Sequence, residues 1–172
     1  MNINWKDIPQ HTILVGELSK PSDISKILKV FSIRKYIYRI VYKGIVIKYG
    51  MSMDNSKNFG ERIYRQIGHC KSWDKERLNG SSGSDFRIIE EDFNKLYGSE
   101  IDHKFITITI YNLTNYVYQT TDEWTEIISI ENSLIEDYVR LVGQKPIGNI
   151  NDEAHINRRP RPLKAIVDKF FK

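Results

Sequence analysis

Two runs rich in Ile, Val and Tyr, residues 36–42 and 45–49, flank the pair Lys43-Gly44. This arrangement narrows the possible folds more than any other feature of the chain. Such side chains suit a pleated, half-buried surface, and a glycine between two runs supplies the positive φ that a tight reversal needs, so the stretch reads as a β-hairpin. The expected loop has three residues, Tyr42-Lys43-Gly44, with Gly44 in the left-handed position. That register sets Tyr38 directly across from Lys48, whereas a two-residue turn would set Tyr38 against Tyr49.

Around the hairpin the apolar spacing predicts helices and one further strand. Residues 22–31 place Ile24, Ile27, Leu28 and Phe31 on one helical side, behind a capping-type Ser22. Residues 59–70 carry Phe59, Ile63, Ile67 and Cys70 on one side and Arg62, Arg65, Gln66 and His69 on the other. Residues 84–97 form another amphipathic helix, after an Asn-Gly-Ser-Ser-Gly-Ser loop within 78–85. Residues 104–111 alternate Ile106, Ile108 and Ile110 with Thr107 and Thr109, as a strand does. A long helix over 123–142 follows, with Gly143 in the place of its C-cap, and a short helix ends the chain after Arg158, Arg159 and Arg161. The middle therefore reads ββααβ, an α+β pattern, and 172 residues fit one domain with a core over about 34–150.

The hairpin contains Tyr36-Ile37-Tyr38 and then Lys48-Tyr49-Gly50, and here the sequence resembles the GIY-YIG nuclease family. The resemblance spans residues 36–149. It implies a small three-stranded antiparallel sheet flanked by helices, and cleavage of double-stranded DNA with Mg²⁺, for which Mn²⁺ can substitute. Position by position, the GIY tyrosine falls on Tyr38 and the YIG glycine on Gly50. Tyr36 stands where the family has glycine, and Lys48 where it has the first YIG tyrosine. A lysine there occurs in a restriction-endonuclease branch of the family. The family's helical arginine falls on Arg62, its metal-binding glutamate on Glu131 and its late asparagine on Asn149. A type II restriction endonuclease is the implied role, and a homodimer the simplest way to cut both strands of a palindrome. The alternatives are a mobile-element, phage or repair nuclease, or a nucleic-acid-binding module of the same fold without catalysis.

Glu131 stands out without any family. It occupies an apolar stripe formed by Trp124, Ile127, Ile128, Leu134, Ile135, Tyr138 and Leu141. A carboxylate buried on such a stripe costs several kcal/mol unless a cation or donors meet it. Either a metal ion meets it, or the helix is rotated slightly and Glu131 snorkels to solvent or pairs with a nearby arginine. One carboxylate completed by water and phosphate oxygens is a common way to hold Mg²⁺. Tyr38 alone reads as a packed strand tyrosine and Lys48 alone as a solvated lysine. Side by side, the ammonium would favour the phenolate, and either group could then take a proton from attacking water. Arg62 would brace the scissile phosphate, Arg65 would bind a phosphate, and His69 is either a proton donor or a surface imidazole.

The net charge of +4 suits a polyanionic partner. The basic tail, Arg158, Arg159, Arg161 and Lys164, would neutralise backbone phosphates. One cysteine, Cys70, excludes an internal disulfide or a multi-cysteine zinc site and agrees with a reducing cytoplasm. His11, His103 and His155 lack metal-ligand spacing, and no apolar run is long enough to span a membrane.

Overall fold

The computed structural model describes residues 3, 5–19, 22–53, 63, 102–146 and 149. Their regular elements are β1 (Gln10–Leu14), α1 (Ser22–Val30), β2 (Lys35–Tyr42), β3 (Ile45–Met53), β4 (Ile106–Asn112) and α2 (Glu123–Val142). The helices expected over 59–70, 84–97 and the C-terminal tail lie outside the described residues, except that Ile63 is helical and fully buried. No helix among the described residues is long and apolar enough to cross a membrane.

The α+β expectation holds, with one strand added. The sheet is antiparallel and four-stranded, in the order β1-β4-β2-β3, where three strands are expected from the sequence. The added strand, β1, is Gln-His-Thr-Ile-Leu, with one buried side chain, Ile13. So short and polar a segment has no periodicity to announce it. Pro9 limits it, since its carbonyl accepts from Asn112 N at 2.9 Å but its own nitrogen has no hydrogen to return.

Alternation along β2 divides the core in two. Tyr36, Tyr38, Ile40 and Tyr42 point to one face, where Ile106, Ile108 and Ile110 of β4, Ile24 and Leu28 of α1, and Ile63 pack against them. Ile37 points to the other face with Met51, Met53 and Tyr111, beneath Ile127 and Ile130 of α2. Tyr49 extends this second face towards Tyr138 and Val142.

The hairpin corrects the expected register. Tyr42 pairs with Ile45, so the loop is Lys43-Gly44 alone, with φ of 46° and 84°. Two successive positive φ angles make a type I′ turn, whose twist matches that of the strands. The register then slips between Ile40 and Val41, leaving Ile47 as a bulge. Beyond the bulge Tyr38 faces Gly50 and Ile40 faces Lys48. The expected direct pairing of Tyr38 with Lys48 does not occur. Because the turn is one residue shorter and the bulge one residue longer, parity is kept, and the two side chains share a face as diagonal neighbours.

Helix α2 starts and stops where the sequence places it. Asp122 caps its start, accepting from Thr125 N at 3.1 Å and from Thr125 Oγ1 at 2.6 Å. These bonds hold the Asp122 carboxyl below its ordinary range. Gly143, at φ 85°, ends the helix and donates to Val139 O. Its buried line is the expected one only in part, sharing Ile127 and Tyr138, with Leu134 and Ile135 packed beside them. Glu126, Ile127, Ile130, Tyr138 and Val142 are buried, whereas Trp124 is 45% exposed and Leu141 82%. Apolar residues surround much of this helix, so spacing alone cannot select the side that meets the sheet.

Glu126 is the buried carboxylate of α2, and it is fully engaged. Gln119 N donates to both of its oxygens, and Thr120 N and Thr120 Oγ1 donate to Oε2. It closes the loop entering the helix. Glu126→Ala would leave these donors unmet and should lower stability by about 3 kcal/mol. Thermal melting tests this, and an unchanged melting temperature would contradict the structural role.

Candidate active site

Tyr38 is held by the strand beneath it. Its side chain is 2% exposed and lies across Gly50, so that a Cβ on Gly50 would fall within 2.7 Å of Tyr38 Cε1 and collide with Cζ and Oη. Only glycine leaves room for the phenol there. Lys48, half-buried on the same face, is two residues from Gly50 along β3. Diagonal cross-strand neighbours stand about 7–8 Å apart, within reach of a lysine side chain. Tyr36, by contrast, is fully buried in the core, its ring centroid 6.4 Å from that of Tyr38.

Glu131 lies on the sheet-facing side of α2, four residues after Ile127 and seven before Tyr138, and is half-buried rather than buried. Glu131 is thus not the fully buried carboxylate that the apolar stripe predicts, and a partly solvated carboxylate bears only part of the desolvation cost. α2 packs on the face opposite to that of Tyr38 and Lys48. Any common site must therefore form around the β3 edge.

Asn149 is bound to that edge. Its Oδ1 accepts from Tyr49 N at 2.8 Å, and its Nδ2 donates to Tyr49 O at 2.9 Å. The side-chain amide thus occupies the place of a neighbouring strand beside Lys48 and Gly50. Asn149→Ala should quicken amide exchange at Tyr49 and cost about 1 kcal/mol of stability. Unchanged exchange at Tyr49 would contradict the clamp.

Arg39, the one charged residue within 36–42, belongs to no motif and is not among the expected site residues. It faces Tyr49 across the hairpin, its guanidinium carbon 5.9 Å from the Tyr111 ring and its Nη2 3.5 Å from Thr109 Oγ1. Burial pushes the Tyr49 and Tyr111 hydroxyls up in pKa, and the Arg39 charge opposes this. Burial also pushes Tyr138 up to about 12. These phenols stay protonated at neutral pH. The hint in the sequence was a cation inside an apolar strand.

Arg62, Arg65, His69, Arg158, Arg159, Arg161 and Lys164 lie outside the described residues. Among the described residues there is no group of three or more His, Cys, Asp or Glu side chains able to hold a metal ion. Comparison of the chain with protein-family models, curated proteins and solved structures returns no match.

Proposed function

We propose that the chain is a divalent-metal-dependent endonuclease that hydrolyses phosphodiester bonds in double-stranded DNA, in the role of a type II restriction enzyme. The observation that carries this reading is the phenol of Tyr38 laid across Gly50 with Lys48 on the same face. A phenol, a nearby amine and a strand glycine that makes room for the ring form a proton-accepting pair in a shielded position. The order Tyr38, Lys48, Gly50, Arg62, Glu131 and Asn149, similar to that of GIY-YIG nucleases, supports it.

In this reading Tyr38 or Lys48 takes the proton of the attacking water, and Arg62 braces the phosphate as negative charge grows on its oxygens. Glu131 would hold Mg²⁺, which when bound supplies Lewis-acid polarisation of the phosphoryl oxygen and relief of charge on the leaving oxygen. Asn149 keeps β3 in place. The test is plasmid cleavage with Mg²⁺ or Mn²⁺. Discrete fragments are expected; a smear would remove the restriction role, and intact plasmid with either metal would overturn the nuclease.

A further inference from the structure

The two edges of the sheet are treated differently. On β3 the outward groups of Tyr49 are closed by the Asn149 amide. On β1 the outward groups are unpaired among the described residues. Because Asn112 N donates to Pro9 O, the hydrogen-bonded pairs of the β1–β4 ladder fall at Pro9, His11 and Ile13. The N–H and C=O groups of Gln10, Thr12 and Leu14 then point away from β4, and none has a hydrogen-bond partner among the described residues. The three side chains are exposed. Sheet edges are usually blunted by a lysine, an internal proline or a bulge, and β1 has none of these.

We infer that the open edge of β1 pairs antiparallel with β1 of a second copy, joining two sheets across a two-fold axis at Thr12. Gln10 meets Leu14 of the second copy, His11 meets Ile13, and Thr12 meets Thr12. All three outward-facing residues fall into hydrogen-bonded pairs, each exchanging an N–H and a C=O in both directions. No like charges are opposed, and a Thr–Thr pair is a favourable cross-strand contact. Apolar surface borders the strand. Leu14 is 42% exposed, and the Phe31 ring, 4.2 Å from His11, is half exposed. An isologous pairing of this kind closes after two copies and leaves no further β1 edge to extend.

The pairing would supply the two-fold symmetry that cutting both strands of a palindrome calls for. It is measured without DNA or metal, so it stands or falls apart from the nuclease reading. In analytical ultracentrifugation the full chain should sediment at twice the chain mass. Thr12→Lys, which opposes two ammoniums across the axis and touches no bond within the chain, should sediment as a monomer with unchanged circular dichroism and melting. Thr12→Pro should do the same, since the N–H that it removes points outward. Deuterium uptake at the Thr12 and Leu14 amides should slow as protein concentration rises. A wild-type chain that stays monomeric as concentration rises would overturn the inference, as would a Thr12→Lys chain that stays dimeric, or uptake at Thr12 independent of concentration.

Discussion

Glu131→Gln is expected to abolish metal-dependent DNA cleavage, by about a thousand-fold or more, in a protein that still folds. Glutamine keeps the size and shape of the side chain and removes the charge that would hold the cation at the scissile phosphate. Since Glu131 is half-buried, its ionised form is only partly desolvated and the neutral isostere relieves little strain. Stability should therefore change by no more than about 0.5 kcal/mol, as for ordinary surface substitutions. DNA binding in the absence of metal should hold or strengthen, one negative charge near the phosphates having gone. A structural carboxylate paired to a buried arginine makes the opposite pattern, with stability falling by about 3 kcal/mol or more and activity following folding. Melting, metal-free binding and cleavage on the same variant separate the two. A folded, DNA-binding and fully active Glu131→Gln protein would remove Glu131 from the chemistry.

Gly50→Ala should affect both stability and activity. The added methyl group would occupy the space taken by the Tyr38 ring, which lies between strand and core with 2% exposure and has little room to retreat. Overpacking of this kind costs about 1–3 kcal/mol, or roughly 2–12 °C of melting temperature in a domain of this size. The ring must also turn away from Lys48, so cleavage should fall further than the loss of folded protein explains. Replacing Tyr38 as well supplies an internal check. If the collision is the cause, Gly50→Ala should cost much less stability in a Tyr38→Ala background, a coupling that a double-mutant cycle reads directly. Wild-type melting and cleavage in Gly50→Ala would show that the strand and ring do not depend on each other.

Much of the architecture was legible in the amino-acid order because it rests on local chemistry. The hairpin runs, α1, β4 and α2 lie close to where propensity and spacing put them, and Gly143 ends α2 as a left-handed cap. These are properties of a few adjacent residues. The register was not of this kind. Lys43-Gly44 was legible as a reversal, but the two-residue turn and the bulge at Ile47, which together set Tyr38 across from Gly50 rather than Lys48, arise where β2 pairs with β3 on one side and β4 on the other.

What the sequence determined by itself was which residues could do chemistry and which segments carry them: Tyr38, Lys48 and Gly50 on the hairpin, Glu131 on a long helix, Asn149 after it. Only the tertiary structure decided which side of α2 is buried, that Glu126 rather than Glu131 is the enclosed carboxylate, that Asn149 clamps Tyr49, and that a fourth strand forms an edge with no partner among the described residues. The physical reason is range. Turn, cap and alternation are set by neighbours in the chain, whereas burial, edge pairing and the partners of a carboxylate depend on residues that meet only when distant segments pack.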